Sequence, residues 1–176
     1  GRTGIQRFLL GSIAGQVVRH APTPVFTTGT TDEPWRVDRV LVATDGSENA
    51  EVAARHGVDI AARYGATVDV LSVVDTDAVA VDVRSERLVE TLTERSQAAV
   101  DRVVALADER GVEANGTVTR GRPERAIVDA VEEGGADLVA MGTHGRSGVH
   151  RLVLGSVAEA VVRASPSPVL TVPHRE

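Results

Sequence analysis

Residues 39–65 read RVLVATDGSENAEVAARHGVDIAARYG. Arg39 to Thr44 is a short apolar run rich in β-branched residues, and Asp45-Gly46-Ser47 closes it with turn chemistry. That reads as a buried strand feeding a helix. Ser47 is the natural N-cap. From Ala50 to Tyr64 the apolar residues Ala50, Ala53, Ala54, Val58, Ile60, Ala61 and Ala62 recur at helical spacing, and Gly65 supplies the stop.

The same alternation runs outward along the chain. Thr67 to Val74 predicts a second strand, and Asp75 to Arg84 a polar loop. Ser85 to Arg110 predicts a long helix carrying Leu88, Leu92, Val100, Val103, Val104 and Ala107 on one stripe, ended by Gly111. Val112 to Thr119 reads as a third strand, Arg122 to Glu133 as a helix with Pro123 in its first turn, and Ala136 to Met141 as a fourth strand. A loop, Gly142-Thr-His-Gly-Arg-Ser-Gly148, a helix from about Ser156 to Arg163 and a last strand, Pro168 to Val172, complete the series. Strands alternating with helices predict an α/β fold, an open, doubly wound parallel sheet with helices on both faces.

Composition narrows the function classes. The hydrophobic fraction is 42%, drawn mostly from Ala, Val and Leu, with two Phe, one Tyr and one Trp. Such a chain favours layered helix and sheet packing over an aromatic-rich β sandwich. Cysteine is absent, which excludes disulfides, thiolate metal sites and cysteine nucleophiles and fits a cytoplasmic protein. The net charge of −6 argues against nucleic acid and anionic membranes as partners. All 19 cationic residues are Arg, so a P-loop, which needs its Lys, is excluded. The apolar patch Phe8 to Ile13 has the look of a signal segment, but its near copy at Leu152 to Val157 lies deep in the chain, which favours a buried helix.

That copy belongs to a larger repeat. Residues 1–28 laid over residues 145–172, at a constant offset of 144, are identical at 15 of 28 positions. The N-terminal segment therefore reads as the last helix and last strand of a preceding unit (1–28), followed by a linker (29–36) and a complete domain (37–176). Two expectations stay open for it. Either Pro24 to Thr28 pairs with Pro168 to Val172, or the segment is a leader left where a longer chain was cut.

In open parallel sheets, ligands bind beyond the carboxyl ends of the strands where the strand order reverses. Two loops matter on that ground, Thr44 to Ser47 and Gly142 to Ser156. The second carries Gly142-x-x-Gly145, nine residues, then Gly155-Ser156 at a helix start. Glycines allow close backbone approach, and a helix N-terminus presents unpaired N–H donors and a positive dipole end. The set suits a polyphosphate, with the Ser156 hydroxyl and the Arg146 charge in reach. Ordinary turn and cap chemistry explains the same glycines equally well.

This loop, with VLVATDGSE before it and SPSPVLTVP after it, resembles the universal stress protein family over about Val37 to Pro173. The family's nucleotide motif, G-x2-G-x9-G-[S/T], is met by Gly142, Gly145, Gly155 and Ser156. The resemblance implies a five-stranded, Rossmann-like parallel sheet of order 3-2-1-4-5 that binds ATP, or ADP or AMP, with Mg2+. By the same resemblance, Asp45 stands by the nucleotide and its metal, the Thr44 and Val73 backbones meet the adenine, and Val157 follows Ser156 onto the phosphates. Ala43, Met141, His144 and Arg146 flank these positions and complete the implied nucleotide site. A homodimer through the last strand, Pro168 to Val172, with the N-terminal copy involved, is implied in the same way.

Other residues invite weaker readings. Asp45 as a general base is less favoured than a metal or ribose contact. His20, His56, His150 and His174 have no metal-ligand spacing. Asn115-Gly-Thr matches a glycosylation acceptor but reads better as a turn. Arg120 to Arg125 reads as a solvated helix start at the edge of the site. The sequence thus favours an ATP-binding stress-response protein acting through nucleotide-dependent conformation or assembly. A slow metal-dependent ATPase and a nucleotide-free interaction module are the alternatives.

Overall fold

The computed structural model describes residues 12–29, 35–76, 85–145 and 154–173. Helix α1 (Ser12–His20) and strand β1 (Val25–Thr27) precede β2 (Arg39–Ala43), α2 (Glu48–Tyr64), β3 (Thr67–Asp75), α3 (Ser85–Glu109), β4 (Ala114–Gly121), α4 (Pro123–Gly134), β5 (Leu138–Gly142), α5 (Ser156–Ala164) and β6 (Val169–Val172). The sheet order is β1-β6-β5-β2-β3-β4. Strands β2 to β6 are parallel and reproduce the doubly wound order expected from the sequence, with the reversal between β2 and β5. The sheet has six strands rather than five because β1 is added antiparallel to the outer edge of β6.

Period-2 alternation along the strands divides the core into two layers. Val40 and Val42 face α2 and α3 and join Ala53, Val58, Val68, Val70, Val100 and Leu138. Leu41 and Ala43 face the opposite side and join Ile127, Val131, Val139, Val161 and, from α1, Val18. Each fully buried valine of this kind contributes about 1.5–3 kcal/mol. Small residues on α2 let the helix settle close to the sheet. A Cβ on Gly57 would meet Ala140 Cβ and Val42 Cγ2, each at 3.0 Å.

Caps and latches set the ends of these elements. Ser47 Oγ accepts the Ala50 N–H at 3.3 Å and caps α2. Gly65, at φ 70°, ends α2 in the left-handed region where only glycine sits without strain. One carboxylate oxygen of Asp137 accepts the N–H groups of Asp38 and Arg39, both at 2.9 Å, and so pins the start of β2 beside that of β5.

Three expectations are corrected. Ala62 is exposed and Ile60 only half-buried, so the buried face of α2 is Asn49, Ala50, Ala53, Ala54, Gly57, Val58 and Ala61. Leu88 is 49% exposed, because α3, 25 residues long, overhangs the sheet. At 1.5 Å per residue a helix of that length runs ~37 Å, against ~30 Å for a nine-residue strand. Asn115-Gly-Thr lies within β4, paired to Asp69, Val70 and Leu71, and is not a turn. Gly116 serves there as the place where Val100 of α3 rests on the strand.

Candidate functional site

The topological reversal between β2 and β5 puts their following loops side by side. Ala43, the last residue of β2, and Met141, the last but one of β5, are buried beneath them. Thr44 is buried, and its N–H donates to Leu71 O at 2.9 Å, so its backbone can offer a ligand only the carbonyl. Its hydroxyl accepts the Gly46 N–H at 3.1 Å and tightens the turn.

Asp45 follows, half-buried, with Oδ1 accepting the Ser47 N–H at 3.0 Å and the Ser47 hydroxyl at 2.6 Å. Its other oxygen lies against the second loop, 2.7 Å from where a Cβ on Gly145 would stand. The two loops are therefore in contact at Asp45 and Gly145, residues separated by 100 positions.

Val73 sits beyond the last β2–β3 pair, Ala43 with Leu71. Thr67 N–H and Leu71 C=O bond toward β2, whereas Val68 N–H bonds toward β4, so odd-numbered residues of β3 face β2. Val73 accordingly turns its N–H and C=O toward the space from which β2 has withdrawn, a donor and an acceptor on one edge.

The loop after β5 is folded back by its own backbone. Gly155 N–H donates to Thr143 O at 2.8 Å, and Thr143 N–H donates to Val172 O at 2.9 Å. A Cβ on Gly155 would meet that Thr143 oxygen at 2.9 Å, so the residue must be glycine for the fold-back to close. Gly155 is also the N-cap of α5 and offers no side-chain cap, leaving the first-turn N–H groups, those of Ser156 and Val157 included, without an internal partner. Ser156 is exposed and Val157 half-buried.

His144 sits within this loop, with Nδ1 2.9 Å from the Thr143 hydroxyl and Nε2 buried and, among the described residues, without a hydrogen-bond partner. Gly142 has a packing reason for its identity: a Cβ there would meet Asn49 Cβ at 3.0 Å and Ala50 N at 3.2 Å, where the start of α2 closes over the loop. Arg146 lies outside the described residues.

Of the residues singled out from the sequence, Thr44, Asp45, Gly142, His144, Gly145 and Gly155 thus gather at one end of the sheet, with Ser156 and Val157 opening α5 beside them. Sequence reasoning passed over Thr143, which ties the loop together, and read Ser47 only as an N-cap, not as the residue that holds the Asp45 carboxylate. Both sit inside the quoted motifs, but nothing in their spacing shows the bonds they make. The residues fit a polyphosphate and a metal ion in three respects: an uncapped helix N-terminus, a carboxylate beside it, and a buried imidazole nitrogen awaiting a partner. Among the described residues no group of three or more His, Asp or Glu forms a metal cage, so an ion here would take its other ligands from phosphate and water.

The Arg120 to Arg125 segment begins at the end of β4, where Arg120 pairs with Val74 next to Val73. Arg122 precedes α4 and pairs with Glu124 at 3.3 Å. Arg120 borders a groove of about 640 Å³ that also takes in Glu86, Val89, Glu90, Thr93, Glu94 and Gln97. Three carboxylates make that groove a poor place for a phosphate. Among the described residues no helix is long and apolar enough to cross a membrane.

Comparison with known proteins accords with this geometry. The family model described as the universal stress protein family matches residues 36–173. Universal stress protein MJ0531 of Methanocaldococcus jannaschii is 36% identical over 76% of this chain and 81% of its own length. The solved structure of the protein MJ0577 superposes with a TM-score of 0.74 at 29% identity, covering 80% of this chain and 98% of that one. A universal stress protein in complex with cAMP superposes at 0.61 and 25% identity, covering 80% and 99%. A universal stress protein of Mycobacterium tuberculosis matches across 97% of this chain at 32% identity, and this chain spans 58% of its length. Both the fold and the sequence therefore place the chain in the universal stress protein family.

Proposed function

We propose that this chain binds an adenine nucleotide, with ATP and Mg2+ as the preferred pair, and acts in the cytoplasm through nucleotide-dependent conformation or assembly. The observation that carries the reading is the uncapped N-terminus of α5, held by the Gly155 to Thr143 hydrogen bond in a loop that touches Asp45. The phosphates take the first-turn N–H groups of α5 and the Ser156 hydroxyl, where the helix dipole favours negative charge. His144 Nε2 gains through a phosphate oxygen the partner it lacks among the described residues. The adenine edge pairs with the donor and acceptor of Val73, and the Asp45 carboxylate is the group that would hold the metal. The solved relative in complex with cAMP supports an adenine nucleotide as the ligand class.

Titration calorimetry of nucleotide-stripped protein with Mg-ATP tests this, with Gly155→Val alongside. The branched side chain would drive Thr143 O from the N-cap, so binding in the micromolar range is expected for the parent and none for the variant. Equal binding by both, or none by the parent, sinks the reading. The same titration without Mg2+ and with Asp45→Asn separates the carboxylate's role: weaker binding that no longer responds to Mg2+ is expected.

A further inference from the structure

Strand β4 ends the sheet on the side away from β1 and, among the described residues, is paired on one edge only. Val68 N–H donates to Glu113 O, so in the parallel ladder the odd-numbered residues of β4 bond to β3, and Ala114, Gly116, Val118 and Arg120 turn their N–H and C=O groups outward. The open edge runs eight residues, ~26 Å, in unbroken register from the Val68–Ala114 pair to the Asp75–Gly121 pair. Sheets protect such edges with proline, bulges or charge. Strand β4 has no proline and no bulge, and its one charged residue, Arg120, stands near its end.

The groove of about 640 Å³ lies along this edge, walled by Glu86, Glu90, Thr93, Glu94 and Gln97 of α3 and bordered by Arg120 of β4. Two sets of contacts fix which flank of α3 forms the wall. Arg102 and Arg110 reach Glu51 and Asp59 of α2, at 3.2 and 2.7 Å, whereas Val100 and Val104 rest over Gly116 of β4. Thr93 and Gln97 lie seven residues before Val100 and Val104, two turns along the same face, and Glu86 and Glu90 lie seven before those. The groove therefore opens on the β4 side of α3, away from α2. Glu86, Glu90 and Glu94 follow one another at i,i+4 steps, where like charges repel. Among the described residues, neither these three carboxylates nor the Arg120 guanidinium has an ion-pair or hydrogen-bond partner.

We propose that the β4 edge and the flank of α3 beside it form a docking site for an extended, basic segment of a partner protein, which adds to the sheet as a further strand. Its backbone takes the outward N–H and C=O groups of Ala114, Gly116, Val118 and Arg120, and main-chain bonds of this kind supply affinity while alternate side chains supply selectivity. Those on the α3 side meet Glu86, Glu90 and Glu94, and those on the other side meet solvent. Charge names the occupant. A row of carboxylates beside a bare ladder edge favours Arg or Lys at every second position of the incoming strand. A second copy of this chain, net charge −6, paired edge to edge would bring its own carboxylate row against the first.

The probe is a capped, fluorescein-labelled peptide of alternating Arg and Val, as long as β4, with an alternating Glu and Val peptide beside it. Fluorescence anisotropy with the 176-residue chain should show saturable binding of the first and none of the second. Glu86→Gln with Glu90→Gln and Glu94→Gln should weaken binding about tenfold, the combined effect of three exposed charge pairs. Glu109→Gln with Glu132→Gln and Glu133→Gln, an equal change of charge elsewhere, should leave it unchanged. Arg120 separates backbone from charge. Arg120→Gln removes a like charge from the groove and should tighten binding, whereas Arg120→Pro also removes an outward N–H, breaks no bond to β3, and should weaken it. Amide exchange tests the unaltered protein: the Arg and Val peptide should slow the amides of Gly116, Val118 and Arg120 and leave those of Thr117 and Thr119, already bonded to β3, as they were. Equal loss in both glutamine triples, an Arg120→Pro that binds as tightly as Arg120→Gln, or even-numbered amides that stay fast with peptide bound each overturn the proposal. So does slow exchange of those amides in the free chain together with a doubled mass, which would give the edge to a second copy. Should Arg120→Pro fail to fold, the exchange pattern decides.

Discussion

Gly145→Ala tests the meeting of the two site loops. A Cβ at that position stands 2.7 Å from Asp45 Oδ2, well inside the ~3.5 Å at which non-bonded heavy atoms rest. Asp45 can swing away only by withdrawing Oδ1 from the Ser47 N–H and hydroxyl, at 3.0 and 2.6 Å. Two hydrogen bonds to a half-exposed carboxylate are worth about 1 kcal/mol each, so relief of the clash costs about 2 kcal/mol. Gly145 does not have a positive φ, so alanine fits its backbone and recovers about 0.7 kcal/mol by restricting the unfolded chain. The net expectation is a loss of about 1.3 kcal/mol, read as a lower urea midpoint, or a Tm lower by roughly 3–5 °C. Asp45→Ala removes the obstacle. In that background Gly145→Ala is expected to be neutral or stabilising by about 0.4–1 kcal/mol, a coupling of about 2 kcal/mol in the double-mutant cycle. An equal cost of Gly145→Ala in both backgrounds would refute the contact and the site built on it.

Two further outcomes follow from the fold. Asp137→Ala leaves the Asp38 and Arg39 N–H groups without their shared acceptor and should cost about 2 kcal/mol in chemical denaturation, with Asp137→Asn retaining part of it. Gly57→Val forces a branched side chain against Ala140 and Val42 and should cost about 2–3 kcal/mol, whereas Gly134→Ala, with open space around it, should stabilise by about 0.5–1 kcal/mol. A reversed order in calorimetric melting would contradict the close seating of α2.

Local pattern carried most of the element order. β-branched runs mark the strands, Ser47 and Gly65 mark the ends of α2, and both caps are made as the residue types require. It misled at Asn115-Gly-Thr, where turn-forming residues lie in a strand because pairing with β3 outweighs a local preference. It misled again at Leu88, since periodicity shows which face of a helix is apolar but not whether a sheet extends beneath it.

The sequence by itself determined the fold class, the strand order through its family resemblance, and the Gly142, Gly145, Gly155, Ser156 spacing, because these are properties of residues near one another along the chain. Its two matching ends also announced a repeat. Only the tertiary structure decided that Asp45 touches Gly145, that Gly155 folds back on Thr143, that Asp137 pins β2, and that the first copy of the repeat pairs with the second. Each of these joins groups through the order in which strands are laid in the sheet, and that order settles which loops and edges meet at hydrogen-bonding distance.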